Sequence, residues 1–385
     1  MKYILIILIL GINLCSEEPK NFTMSTNNLG FKFMKQIKKE NVVFSPLSIT
    51  ALFGALLPGS DNITFSEIQE TLNFSPTESV HLESTKKTLN KIRSLNGLSI
   101  QNYIWMDQRF NPMPKYTNIS KKYFNTKLES SDFLNQPELE ESKINNLIEK
   151  ETNKKIINII PSGSITKNTA LILTNTIYFK DNWKTAFNKL LTRDMPFFIT
   201  SNIQTKVPMM SIRNTSFSYF KNNNLQIIKL PYQNSSISMM IILPLNSIES
   251  FLKSFSYQKY QSLKSKTKKT KLNLKIPKIK LKSSYLLNDY LIPLGIKSAF
   301  KETANFSKLA PENDIYIDKA FHKAFIEIDE KGTEATAASS TVIGFKTTSI
   351  SETMIVNRPY IIIIQDEETN TILFMAKITN PSTLN

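Results

Sequence analysis

The sequence has 385 residues, of which 41% are hydrophobic and 21% are charged, and this composition excludes a disordered chain. The net charge of +16 predicts attraction to polyanions such as sulfated glycans and anionic cell surfaces. The only histidines are His81 and His322 and the only cysteine is Cys15, so the usual metal ligands are too few. Common hydrolase and nucleotide-binding motifs do not occur, so we expect a protein that is not an enzyme.

The N-terminus has the features of a secretory signal peptide. Lys2 provides a positive charge, and the apolar run that follows is too short to span a bilayer. We predict a signal peptide over residues 1–16, a single domain over residues 17–385, and a secreted, extracellular protein without membrane insertion. The alternative interpretation of the apolar run is a buried N-terminal strand.

The predicted elements change type along the chain. Helical spacing of apolar residues predicts helices over residues 27–39, 45–57, 65–72, 79–94, 114–124 and 138–152. Strand-like runs follow at residues 171–179, 227–230, 237–243, 272–281, 325–328, 360–364 and 372–378. Within 272–281 the alternation is interrupted at Pro277, which predicts one half-buried strand with a break. Because helices precede strands without β-α alternation, we predict an α+β fold with large sheets.

One stretch, residues 332–340, fits neither pattern. Its sequence GTEATAASS consists of small residues, carries one charge and lies between two strong strand signals. A flexible surface loop is one interpretation. The other is a loop that can also become a strand.

Several segments of the sequence are similar to motifs of one protein family, and they occur in the family's order. They are NVVFSPLSI at 41–49, TNTIYFKDNW at 174–183, VPMM at 207–210, FIEIDEKGTEA at 325–335, NRPYIIII at 357–364 and ILFMAKITNP at 372–381. Together they resemble the serpin family over essentially the whole mature chain. The sequence departs from the usual serpin residues at Leu147, Lys154, Tyr360 and Ala376. None of them lies in the segment at 325–335, which resembles the hinge from which the reactive loop of serpins begins.

The resemblance implies a fold with about nine helices, three β-sheets and an exposed reactive loop, here at about residues 330–357. It also implies inhibition of a serine endopeptidase by a suicide-substrate mechanism, in which the cleaved loop enters the central sheet and the protease stays attached as an acyl-enzyme. The family spacing of seventeen residues from Glu330 places the reactive bond between Lys346 and Thr347. Lys346 predicts a trypsin-like target.

The sequence leaves alternatives to this function open. Cleavage after Phe345 would suit a chymotrypsin-like protease, and cysteine proteases are a further target class. A serpin that does not inhibit would be a carrier or a chaperone. The hinge residues argue for inhibition, because strand alternation from Thr333 points small, uncharged side chains inward. The predicted hinge comprises Glu330, Gly332, Thr333, Glu334, Ala335, Thr336, Ala337 and Ala338.

The resemblance assigns two further groups of residues. Ser45, Ser48, Asn175 and His322 match the shutter, a polar cluster under the part of the sheet that opens. Trp183 and Glu330 match the breach, where the loop first enters, with Lys278 as the expected partner of Glu330. Without the resemblance, Ser45 reads as an ordinary helix N-cap and His322 as a core histidine.

Two surface features concern modification and partners. Lys86, Lys87, Lys91 and Arg93 match the helix that some serpins use for heparin, and predict a site for a heparin-like sulfated glycosaminoglycan. The alternative is a solvated basic surface. Sequons predict N-glycosylation at Asn21, Asn62, Asn118, Asn214, Asn234 and Asn305. We expect a monomer that binds its target protease, does not bind nucleic acid and needs no other cofactor.

Overall fold

The computed structural model describes residues 20–233, 235–311, 315–333 and 352–384. Several predictions lie outside the described residues and are not assessed by it. They are the signal peptide at 1–16, the hinge residues Glu334, Ala335, Thr336, Ala337 and Ala338, the reactive bond Lys346–Thr347, and the sequon at Asn234.

The described part of the chain contains nine α-helices. They are α1 Phe22–Gln36, α2 Pro46–Leu56, α3 Asn62–Leu72, α4 Glu78–Arg93, α5 Pro114–Ile119, α6 Pro137–Glu151, α7 Ile248–Lys253, α8 Tyr257–Ser265 and α9 Asn288–Leu294. The six predicted helices correspond to α1–α6. Helical spacing did not identify α7–α9, because six to nine residues give too few turns for the period to stand out.

The described strands number sixteen. They are β1 Val42–Phe44, β2 Leu98–Asp107, β3 Lys127–Ser131, β4 Leu171–Phe179, β5 Asp181–Asn182, β6 Arg193–Phe198, β7 Gln204–Lys221, β8 Leu225–Pro231, β9 Ile237–Pro244, β10 Lys268–Pro277, β11 Ile279–Leu286, β12 Ile317–Ile328, β13 Gly332–Thr333, β14 Glu352–Ile355, β15 Tyr360–Asp366 and β16 Ile372–Ile378. With the helices they confirm the α+β class.

The described strands form two hydrogen-bonded sheets. The nine-stranded sheet has the order β1-β16-β15-β9-β8-β7-β10-β14, with β6 also paired to β7. The seven-stranded sheet has the order β3-β2-β4-β12-β13-β5, with β11 also paired to β12. The three sheets expected from the resemblance appear as two because β7 is long. Along one edge it pairs with β6 near its start and with β8 near its end, and so joins both groups of strands.

Pro277 has a larger effect than the predicted break in one strand. Residues 272–281 belong to two strands in different sheets: β10 pairs with β7 in the nine-stranded sheet, and β11 pairs with β12 in the seven-stranded sheet. Proline has no N–H to donate to a strand ladder, so the ladder can end there. The prediction of a single strand was therefore wrong, although the position of the interruption was right.

Helix α2 connects the two sheets through the core. Its N-terminus is formed by Ser45, whose side chain accepts a hydrogen bond from the Ser48 N–H at 3.1 Å, and by Pro46 at the first helical position. All residues of α2 are buried, and it contacts β16 of one sheet and β2 and β4 of the other. A helix with mainly apolar residues around its whole circumference is stable when it is covered on every side. It therefore carries the Ser45 and Ser48 side chains to the inner face of the seven-stranded sheet.

Candidate functional site

The central feature of the seven-stranded sheet is the place where β4 and β12 separate, which we call the sheet opening. The two strands pair in parallel from Leu171 opposite Ile317 to Tyr178 opposite Phe325. Beyond this point the two-residue strand β13 lies between them. Its Thr333 pairs with Ile328 of β12 and also with Asp181 of β5, which continues the course of β4. The chain that follows β12 therefore already occupies the first positions between β4 and β12.

The turn that leads into β13 is tightly hydrogen-bonded. The Asp329 carboxylate accepts from the backbone N–H groups of Lys331 at 2.8 Å and Gly332 at 3.2 Å. Gly332 is required by close approach of the neighbouring backbone, because a Cβ at this position would lie 2.1 Å from the Asp181 carbonyl oxygen. The turn thus directs the chain back into the sheet at a position where only glycine fits.

Glu330 is buried beside this turn and is held by two donors. Its carboxylate accepts from the Thr192 hydroxyl at 2.7 Å and from the Lys278 ammonium at 2.9 Å. Burial alone would raise the pKa of Glu330, but the hydrogen bonds from Thr192 and Lys278 outweigh it and lower the pKa. Glu330 is therefore charged at neutral pH. Its ion pair with Lys278, the residue between β10 and β11, anchors the start of the loop.

The Thr333 side chain points into the protein and is fully buried. Its hydroxyl lies 2.6 Å from the Tyr232 hydroxyl. The Tyr232 ring stacks on Trp183 with the ring centroids 4.6 Å apart, and the Trp183 indole N–H donates to the Asp329 carbonyl at 2.9 Å. The predicted breach residues Trp183, Lys278 and Glu330 thus lie around the sheet opening. Tyr232 was not predicted, since an isolated tyrosine after a strand carries no signal of its own.

The four predicted shutter residues form one buried network below the opening. The Ser45 N–H donates to Nε2 of His322 at 3.0 Å, so the proton of the neutral ring is on Nδ1, which donates to Oδ1 of Asn175. The Ser48 hydroxyl donates to the same oxygen at 2.8 Å. Burial lowers the pKa of His322 to about 3. Asn102, which was not predicted, completes the network by accepting from the Asn175 amide.

The comparison with known families agrees with this arrangement. The sequence model of the family described as Serpin (serine protease inhibitor) matches residues 24–381. The chain is a serpin. Serpins are generally protease inhibitors rather than enzymes, although non-inhibitory members are also among the structural neighbours.

Individual relatives are similar to this serpin over nearly its full length. Serpin B3 of Homo sapiens is 32% identical, over 91% of this chain and 96% of its own. The structure of the mouse protein-Z dependent protease inhibitor has a TM-score of 0.83 at 26% identity and covers 94% of this chain and 97% of its own. Human thyroxine-binding globulin has a TM-score of 0.83 at 28% identity, with coverages of 94% and 99%.

The four predicted glycan-binding residues of the serpin differ in their availability. Lys86 and Lys87 lie on α4 without an acidic partner among the described residues, and Lys86 lies over the Tyr123 ring. Lys91 forms a salt bridge of 2.5 Å with Glu368 in the hairpin between β15 and β16. The Arg93 guanidinium donates to the Phe124 carbonyl. Two of the four cations are therefore already engaged within the protein.

The sequons of the serpin also divide into two groups. Asn62, Asn118 and Asn214 are exposed, so their amides are accessible to a glycosyltransferase. Asn21 and Asn305 are half-buried, and their side-chain oxygens accept hydrogen bonds from Met24 N–H at 2.9 Å and from the Ser307 hydroxyl at 2.7 Å. In the described ranges, no helix is both long and apolar enough to cross a bilayer.

Proposed function

We propose that this serpin inhibits serine endopeptidases as a suicide substrate. The observation that carries the proposal is β13, whose Thr333 is buried between β12 and β5 at the sheet opening. Extension of β13 toward the shutter would place each further residue between β4 and β12. Every such residue exchanges backbone hydrogen bonds with both neighbours, so full insertion stabilises the sheet. The free energy released would displace and deform a protease attached to the loop.

The sequence after Thr333 is compatible with this movement. Alternation places Ala335, Ala337 and Ser339 on the same face as Thr333, and none of them carries a charge. The fifteen residues from Gly332 to Lys346 would span roughly 50 Å as a strand at about 3.3 Å per residue. This length would carry the protease from one end of the sheet toward the other.

The preferred target in this proposal is a trypsin-like protease that cleaves between Lys346 and Thr347. A lysine side chain suits a specificity pocket that carries a carboxylate. Incubation with trypsin should give a complex that survives SDS gel electrophoresis, and the released C-terminal peptide should begin at Thr347. A peptide that begins at Lys346 would instead assign specificity to Phe345 and a chymotrypsin-like target. Parallel reactions with chymotrypsin and papain test the other protease classes, and a carrier or chaperone would be cut without forming a complex.

Cleavage should also raise the thermal stability, because the inserted loop adds a strand to the sheet. Melting temperatures before and after cleavage by a protease that is not trapped measure this directly. Equal values would contradict insertion even if the loop is cut. A cleaved control that carries Thr333→Arg should gain less.

We further propose that the serpin is secreted and that α4 binds a heparin-like glycan. The basic residues Lys86 and Lys87 support the glycan site, and the apolar N-terminal run supports secretion. Both proposals are independent of the inhibitory mechanism. Detection of the mature chain in culture medium, with Ser16 or Glu17 near its N-terminus, tests secretion.

A further inference from the structure

A cavity of about 1250 Å³ lies away from the sheet opening, where the C-terminal end of α1 approaches α7 and the ends of β15 and β16. Much of its wall is apolar. The apolar lining includes Met34, Ile37, Phe198, Ile199, Ile248 and Leu252. The cavity exceeds the roughly 300–1000 Å³ of common small-molecule sites, so it has room for an extended ligand.

Two buried polar groups on this wall have unused hydrogen-bonding capacity. Lys377 is only 7% exposed. Among the described residues its ammonium donates to one acceptor, the Ile37 carbonyl, at 3.2 Å. No carboxylate of the described chain lies within 4.0 Å of Lys377 Nζ. Thr379 is 9% exposed, and its hydroxyl has no hydrogen-bond partner within the described ranges. Both residues line the cavity, Lys377 from β16 and Thr379 from the position just after the strand.

Buried groups of this kind are costly when they are left unsatisfied. A lysine ammonium has three donors, and a buried charge without an opposite charge is strongly disfavoured. Burial lowers the pKa of the Lys377 amine, whereas the charges of Glu249 and Glu40 act to raise it. An anion next to Lys377 would satisfy the remaining donors and keep the amine protonated.

The other charges around the cavity also favour an anion. Its lining contains the cations Lys35, Lys38, Lys253, Arg358 and Lys377, against the two carboxylates of Glu40 and Glu249. Arg358 makes a long hydrogen bond of 3.4 Å to the Leu245 carbonyl, which leaves other donors of the guanidinium available. A concave site lined mainly by positive charge concentrates the field and attracts anionic ligands.

We propose that this cavity binds an aliphatic carboxylate of the fatty-acid class. The carboxylate accepts hydrogen bonds from the Lys377 ammonium and, after rotation of the Thr379 side chain toward the cavity, from the Thr379 hydroxyl. The alkyl chain packs against the apolar wall formed by α1, α7 and the segment at Phe198. An inorganic anion would satisfy the polar groups but leave this wall uncovered. A neutral alcohol would cover the wall but leave Lys377 without a counter-charge. The site is separate from the sheet opening, so it does not depend on the inhibitory mechanism.

Isothermal titration of the purified chain with dodecanoate, below its critical micelle concentration, tests the proposal. We expect one site per chain, and at least roughly tenfold weaker binding of dodecanol and of inorganic phosphate. Absence of dodecanoate binding would overturn the site. Equal binding of dodecanol would overturn the role of the carboxylate, and equally tight binding of phosphate would overturn the role of the apolar wall.

Matched variants locate the binding. Lys377→Met should weaken dodecanoate binding by roughly tenfold or more, whereas Lys377→Arg keeps the charge and should retain most of the affinity. Lys32→Met is the control, because Lys32 is an exposed lysine of α1 that does not line the cavity. An equal loss in Lys32→Met would overturn the assignment. Thr379→Val is close in shape and decides the question if Lys377→Met does not fold: its affinity should fall severalfold, and an unchanged affinity would contradict the site.

Discussion

The hydroxyl of Thr333 lies 2.6 Å from the hydroxyl of Tyr232, and both side chains are buried behind the sheet opening. This hydrogen bond joins the second residue of β13 to the stacked rings of Tyr232 and Trp183. The first two positions between β12 and β5 are therefore already filled by Gly332 and Thr333 in the uncleaved protein. Insertion of any further residue would require β4 and β12, which pair with each other below this point, to separate.

Under the proposed inhibitory mechanism, Thr333→Arg should turn the serpin into a substrate that is cleaved without trapping the protease. Arginine at position 333 should expel β13 from the sheet opening of the uncleaved protein, because Thr333 is already buried there. After cleavage, insertion would have to bury the guanidinium without a counter-charge, which costs several kcal/mol and slows insertion by more than roughly tenfold. The acyl-enzyme would then hydrolyse before the protease is displaced. Stopped-time SDS gels should show cleaved serpin in place of the covalent complex. Thr77→Arg, at an exposed threonine before α4, should form complex normally. Normal complex formation by Thr333→Arg would contradict the inward position of Thr333 during insertion.

His322 should make the stability of the serpin fall in acid. The ring is neutral in the folded protein with a pKa of about 3, against an ordinary value of 6.5 in the unfolded chain. Between these values the unfolded chain binds the extra proton, so stability is lost as the pH falls below about 6.5, by up to about 1.4 kcal/mol per pH unit. Denaturant unfolding of His322→Gln from pH 7 to pH 4 should show a shallower slope.

The second histidine provides an independent test of this pH effect. Burial lowers the pKa of His81 to about 4, so His81→Phe should also flatten the slope, but only between about pH 6.5 and pH 4. Its effect should add to that of His322→Gln, because His81 packs against Phe74 rather than in the shutter network. A slope that is identical in the wild type and in His322→Gln would contradict the neutral, hydrogen-bonded state of His322.

Lys154→Gly should stabilise the protein. Lys154 has a φ of +61°, in the left-handed region that costs a side chain about 1–2 kcal/mol. The greater entropy of glycine in the unfolded chain offsets about 0.4–1 kcal/mol of this gain, which leaves a net increase of about 0.5–1 kcal/mol in the free energy of unfolding. Lys150→Gly, an exposed lysine inside α6, should lower it by about 1 kcal/mol. Destabilisation by both substitutions would contradict backbone strain at Lys154.

The glycan affinity of α4 should depend on Lys86 and Lys87, and it should be limited by the salt bridge between Lys91 and Glu368. The double variant Lys86→Glu, Lys87→Glu should weaken heparin binding by roughly tenfold, a change of about 1.4 kcal/mol in binding free energy. Lys150→Glu together with Lys301→Glu changes the net charge equally at exposed sites elsewhere and should have a smaller effect. Glu368→Gln should increase the affinity, because it releases Lys91. Equal losses in the two double variants would indicate bulk electrostatic attraction without a local site.

Local patterns in the sequence identified a large part of the fold. The apolar runs predicted β4 and β16 with the bounds that the structure has, and helical spacing found α1–α6. These predictions were possible because the side chains on one face of a helix or strand recur at a fixed spacing, which a short segment of sequence is enough to show. The motifs that resemble serpins supplied the family, and they named residues that the structure brings together around the sheet opening and in the buried network of His322.

Contacts between distant residues were decided only by the tertiary structure. Tyr232 meets Thr333 across 101 positions of sequence, and Asn102 completes the shutter from 73 positions before Asn175. The partition of β10 and β11 into different sheets likewise depends on which strands lie beside them. The sequence identified the basic residues of α4, but packing determined that Lys91 is paired with Glu368 and that Lys377 is buried beside a cavity. Side-chain type sets what a residue can bind, whereas chain topology sets which groups come within hydrogen-bonding distance.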